Sequence, residues 1–205
     1  MYLLQSELNF LAHIALSQKN PPWMVGNFLA DFLKPSETVD LPEDIIQGIK
    51  IHQNIDAFTD HHPDVKKSIL RMSHYQGKYA PVVIDICFDF FLCKYWDLYY
   101  IDRLEVFIDD SYKVFQDYHK YFPQSFQAMF ERMIKFDFLN SSMNKDRLVA
   151  NFIKLQTRVK FENQLPNAVD HLFLNLYEYE TEFLNFYPDL IKSTDEFILK
   201  NYVEI

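Results

Sequence analysis

Glycine is nearly absent from this chain of 205 residues: Gly26, Gly48 and Gly77 are all it has, against about 7 % in ordinary proteins. Proline punctuates instead. Between the prolines the apolar residues recur with helical spacing, and no alternating strand pattern competes, so the fold class is all-α. The spacing predicts helices over 3–18, 23–34, 43–58, 64–76, 80–98, 102–119, 124–138, 144–161 and 167–201, the last broken near Pro188. Helix starts are well signed. "DLPEDIIQGI" sets Pro42 and two acids in a first turn, where the helix dipole favours negative charge, and Pro81 and Pro123 mark two further starts. There is no fixed-period repeat, low-complexity tract or compositional shift, which implies one domain over 1–205.

Composition narrows the function. The formal charge is −9, so a general nucleic-acid-binding surface is not expected, because neutralising phosphates needs a basic excess. Cys87 and Cys93 lie inside an apolar run and read as small core residues rather than as a disulfide or a metal site. The opening "MYLLQSELNFLAHIALSQ" lacks the basic region of a signal peptide, and no stretch has the 18 or so uncharged apolar residues of a membrane span. The expectation is a cytoplasmic protein that binds neither membrane nor nucleic acid.

Four apolar segments carry polar groups that need a reason. In "GIKIHQNIDAFTDHHPD", His52 and Asp56 are four apart and share a helical face, with Asp60 four further on, at or past the helix end. Gly48 precedes His52 by one turn on that face. Glycine costs a helix about 1 kcal/mol relative to alanine, so its presence points to close approach of another group. Gly26 and Gly77 fit turns or helix ends equally well. In "YAPVVIDICFDFFLCKYW", Asp85 and Asp89 are the charges between Lys78 and Lys94, set among Val, Ile, Phe and Cys. Such carboxylates are costly unless paired, hydrogen-bonded or metal-bound. Asp31 in "GNFLADFLK" and His13 in "NFLAHIALS" repeat the pattern. His61, His62, His74, His119 and His171 lie in more polar segments and read as surface residues. Taken singly, each inward group fits a satisfied core residue or a cap. Taken together, imidazole and carboxylate donors suit Mn, Fe or Zn and can serve Mg. Such a centre activates water and clamps phosphoryl oxygens, which points to a metal-dependent hydrolase of phosphate esters.

"NFLAHIALS", "GNFLADF", "GIKIHQNIDAFTDHHP" and "YAPVVIDICFDFFLCKYW", with "LYEYETEFLNFYPDLI" near the C-terminus, resemble the successive motifs of the acyl carrier protein phosphodiesterase family. The resemblance begins at Asn9, leaving 1–8 as a short extension, and is loose from about 98 to 165. It implies an all-helical fold distantly similar to HD-type metallophosphohydrolases. It also implies a manganese-dependent reaction that hydrolyses the phosphodiester of holo acyl carrier protein and releases 4′-phosphopantetheine. By position it assigns Asp31, His52, Asp56 and Asp89 to the metal, with Asp31 and His52 in catalysis and Asp60 and Asp85 as second choices; the residues themselves add Lys78 to catalysis, as a point charge on the phosphate, and His13 to the second choices. The chain departs from the family at Asp89-Phe90, where the family reads Asp-His, and at Gln53 and Gly77-Lys78, where arginines are common. Two alternatives stand beside this reading: a relative that binds acyl carrier protein or phosphopantetheine without turnover, and a metallohydrolase acting on a small phosphate ester. The basic stretch "DVKKSILRMSHYQGK" offers Lys66, Lys67 and Arg71 as a docking patch for the acidic carrier, or as an ordinary solvated helix face.

Overall fold

The computed structural model describes residues 10–140, 143–157, 159 and 163–202. Among these the regular structure is helical: α1 (Phe10–Ala15), α2 (Pro21–Leu29), α3 (Glu43–His61), α4 (Pro63–Gln76), α5 (Ala80–Lys94), α6 (Trp96–Tyr99), α7 (Leu104–Asp117), α8 (Gln124–Lys135), α9 (Lys145–Gln156), α10 (Ala168–Leu174) and α11 (Leu176–Tyr202). The all-α expectation holds. The outer ends of the segments expected at 3–18 and 144–161 fall partly outside the described residues. Asp60 lies within α3, which runs to His61. The helix expected over 80–98 is interrupted at Tyr95.

The C-terminal expectation needs correction. α11 runs unbroken through Pro188, and the chain breaks instead at Asn175, between α10 and α11. Proline inside a helix removes one hydrogen bond and costs about 3 kcal/mol. Here Phe183, Phe186, Tyr187 and Leu190 are buried on both sides of it, and the Tyr187 hydroxyl meets that of Tyr100 at 2.7 Å. Burying a large apolar side chain contributes about 1.5–3 kcal/mol, so this face outweighs the lost bond.

Two junctions position the polar groups. The first is the crossing of α2 and α3. A methyl group at Gly26 would fall 2.0 Å from the carbonyl oxygen of Ile45, and one at Gly48 would fall 2.4 Å from that of Trp23. No side chain fits at either place, so the two backbones touch. Gly48 therefore does what its position implied, whereas Gly26 is inside a helix rather than at a turn. Gly77, at φ +52°, does mark a turn. The second junction clamps α4 to α11. Arg71 donates two hydrogen bonds of 2.6 Å to the two carboxylate oxygens of Glu182, and the Ser68 hydroxyl donates to the same carboxylate. On the other face of α2, Phe28 stacks on Phe115 at 4.3 Å, and Phe32, just past the helix, packs on Phe126 at 4.1 Å, tying this segment to α7 and α8.

Candidate metal centre

His13 on α1 and His52 on α3 are both buried, their rings stacked 4.2 Å apart. Their Nε2 atoms face one carboxylate: Asp56 lies 3.3 Å from His13 and 3.1 Å from His52. Asp31, just beyond α2, stands 3.4 Å from His52 Nε2. Asn27 of α2 fills the other side, its Oδ1 2.8 Å from His13 Nδ1 and 3.2 Å from His52 Nδ1. The histidines are inward and the acids outward, since half of the Asp56 side chain and 30 % of the Asp31 side chain remain exposed. The group therefore opens to solvent through its carboxylates.

The electrostatics are unbalanced. Burial opposes a charge on His52, but the hydrogen bonds and charges of Asp31 and Asp56 outweigh it and push its pKa up to about 10. Burial likewise acts to raise the pKa of Asp56, but the two histidines outweigh it and hold the carboxyl well below the usual range. Asp85, half-buried on α5, is pushed up to about 7, first by burial and then by the charges of Asp56, Asp60 and Asp31. Three carboxylates thus act on Asp85 beside the two imidazoles.

The donor set fits a divalent cation. One nitrogen each from His13 and His52 and one oxygen from Asp56 all lie within 4.8 Å of one another. Metal bonds of about 2.0–2.2 Å, at right-angled or tetrahedral geometry, put neighbouring ligand atoms about 2.8–3.6 Å apart. His13 Nε2 lies 3.3 Å from Asp56 Oδ1 and His52 Nε2 lies 3.1 Å from Asp56 Oδ2, each inside that range, with the two imidazoles on different oxygens of the one carboxylate. Two imidazoles and a carboxylate suit Zn, Mn or Fe.

The other expected site residues divide. Asp60 and Asp85 are electrostatically coupled to the group. Asp89 stands outside that three-residue group: its buried carboxyl faces the backbone N–H groups of Leu11 and Ala12, at the start of α1, and its Oδ1 has no hydrogen-bond partner. Burial holds its pKa well above the usual carboxylate range despite those N–H groups. It anchors the short helix that carries His13. Lys78 is exposed in the 77–79 turn, its ammonium 5.2 Å over the ring of Tyr79. Phe90 turns toward α10, 6.2 Å from Phe173. Of the basic patch, Lys66 is exposed and Lys67 pairs with Asp64 at 2.6 Å. Arg71 is committed to Glu182 inside the molecule, because a buried carboxylate on α11 needs a bidentate partner. His62 is a correction: it is buried rather than on the surface, and its Nδ1 caps α4 by accepting from the N–H of Asp64 at 3.3 Å.

Asn27 is the member that the sequence reading passed over. Its signal was there: a polar residue in an apolar helix, adjacent to one of three glycines.

The profile of the acyl carrier protein phosphodiesterase family matches residues 8–190. The chain belongs to that family. Among curated proteins it is similar to the acyl carrier protein phosphodiesterases of Salmonella newport (strain SL254), Salmonella heidelberg (strain SL476) and Salmonella enteritidis PT4. Each is 35 % identical over 89 residues, 43 % of this chain and 46 % of the relative. The chain thus spans about half the length of the curated relatives it matches. No solved structure matches it. Among the described residues, no helix is long and apolar enough to cross a membrane.

Proposed function

We propose that this protein hydrolyses the phosphodiester of holo acyl carrier protein in the cytoplasm, releasing 4′-phosphopantetheine and apo carrier, and that it uses a divalent metal, manganese first among the candidates. Family membership supports the substrate. The observation that carries the chemistry is the convergence of His13, His52 and Asp56 on one point, with Asp31 on the same His52 nitrogen.

In this reading His13, His52 and Asp56 would hold the cation. A cation bound there supplies Lewis acidity toward phosphoryl oxygens and a nucleophile at neutral pH. Asp31, on the solvent side of His52, orients incoming water and takes its proton. Burial of both imidazoles keeps the group fixed while substrate enters past the exposed acids. The carboxylate surplus opposes approach of a phosphodiester anion, and a cation held by these residues would offset it.

The test is incubation with holo carrier protein and manganese, followed by intact mass measurement. Loss of one phosphopantetheine, absent with chelator, supports the proposal. Carrier that binds but keeps its arm would favour the non-catalytic relative. Phe90, which packs against Phe173 where the family has histidine, is the observation on that side.

A further inference from the structure

We propose that Asn27 selects the ligating nitrogen of both histidines, gripping His13 and His52 by Nδ1–H so that each presents Nε2 to the carboxylates. The consequence for metal binding rests on the reading above; the hydrogen bonding does not.

The amide of Asn27 has one workable orientation. Its nitrogen lies 2.7 Å from the backbone carbonyl oxygen of His13 and 3.1 Å from Ser17 Oγ. A carbonyl oxygen can only accept, so a flipped amide would set oxygen against oxygen. The Ser17 hydroxyl donates its own proton to that same carbonyl at 3.0 Å, which leaves its oxygen to accept from Asn27. Both amide hydrogens are thereby used, and Oδ1 faces the two rings at 2.8 and 3.2 Å. An amide oxygen has two lone pairs and takes two donors. Each Nδ1 therefore carries a hydrogen. A bare Nδ1 would bring two lone pairs together in a buried site and leave both groups unsatisfied.

With Nδ1 held as a donor, Nε2, beside Asp56, is the nitrogen each imidazole can give to a metal, in His52 once its Nε2 proton has left. Ligating histidines usually direct their second nitrogen to a carboxylate, a backbone carbonyl or water. Here one neutral amide serves two rings and adds no charge to a group already rich in carboxylates. The reach depends on the glycine crossing. Asn27 follows Gly26, and His52 lies one turn beyond Gly48, so the backbone contact of α2 and α3 brings a short side chain to both rings.

Two variants test the assignment. Asn27→Leu keeps the approximate volume and removes the polar atoms; Asn27→Asp keeps the Oδ1 acceptor and gives up the amide donors to the His13 carbonyl and Ser17. In the metal-free wild type, nitrogen–proton correlation spectra should show Nδ1 protons on His13 and His52 that are protected from exchange. Asn27→Asp should keep them and Asn27→Leu should lose them. Manganese affinity should fall by about 10–100-fold in Asn27→Leu and persist in Asn27→Asp. Wild-type rings protonated at Nε2 alone would overturn the proposal, and that arm stands even if Asn27→Leu does not fold. Retained Nδ1 protection, or unaltered affinity in folded Asn27→Leu, would also overturn it. Protected Nδ1 protons in a wild type that binds no manganese would support the role of Asn27 and defeat the metal reading.

Discussion

Two polar clusters are built into this helical assembly, and they are balanced differently. Where α4 meets α11, Arg71 and Glu182 meet through two parallel hydrogen bonds, and Ser68 adds a third. One positive charge answers one negative charge, and the guanidinium also lies 4.9 Å from the centre of the Tyr179 ring. Where α1, α2 and α3 meet, two imidazoles face Asp31 and Asp56, and Asp60 and Asp85 add further negative charge. The first cluster is complete in itself. The second holds a surplus of negative charge around a point open to solvent. A cluster that exists to join helices can close its own charge account, whereas one that receives a cation cannot.

The comparison breaks if the two clusters answer mutation alike. The largest expected effect is on function at the unbalanced cluster. His52→Ala should cost more than the 10–100-fold in metal affinity typical of a supporting residue and should abolish phosphopantetheine release, with helix content by circular dichroism nearly unchanged. Its effect on stability should depend on pH. His52 in the fold titrates near 10, above its ordinary 6.5, so in the metal-free protein the stabilisation from its charge is complete below pH 6.5 and is lost as pH rises toward 10. Denaturant titrations at pH 6 and pH 10 should therefore show the gap between wild type and His52→Ala narrowing at the higher pH. A gap that widens would contradict the charge assignment.

Next in size is the balanced cluster. Glu182→Ala leaves a partly buried guanidinium without its partner and should cost about 3–5 kcal/mol in urea unfolding, while metal affinity per folded molecule stays unchanged. Replacing Arg71 and Glu182 together by Met and Leu should recover most of that loss. A parallel fall in metal affinity would mean that the clusters are coupled, and the contrast between them would fail.

The smallest effect separates anchoring from ligation at Asp89. Asp89→Asn retains an oxygen acceptor for the N–H groups of Leu11 and Ala12 and should keep metal affinity. Asp89→Ala should lower stability by about 0.5–2 kcal/mol, the range for loss of a helix cap. Loss of metal from a well-folded Asp89→Asn would return this residue to the ligand set.

These contrasts also mark what sequence alone made legible. Helical spacing and proline punctuation predict most of the elements, and the pair His52 and Asp56 is readable because both lie on one helix. Gly48 is readable for the same reason. What could not be read depends on contacts between distant segments. Glu182 neutralises Arg71 across 111 positions, so a residue that reads as docking surface proves to be a clamp. Asp89 reads as a ligand because nothing nearby in sequence shows that its carboxyl faces the start of α1. His13 ranks as a second choice in the sequence because its partners Asn27 and Asp56 come from other helices. Pro188 reads as a break because local propensity speaks before burial does.

The central claim is that His13, His52 and Asp56 together form a site for one divalent cation. Calorimetric titration of manganese into metal-free wild type and His52→Ala at pH 7, each in two buffers of different ionisation enthalpy, tests it most directly. The account predicts a single saturable event in wild type, accompanied by release of about one proton, because His52 is protonated before the metal arrives and must yield Nε2 to it. It predicts that this event is lost in His52→Ala. Absence of binding to wild type, or equal binding to the variant, would contradict it.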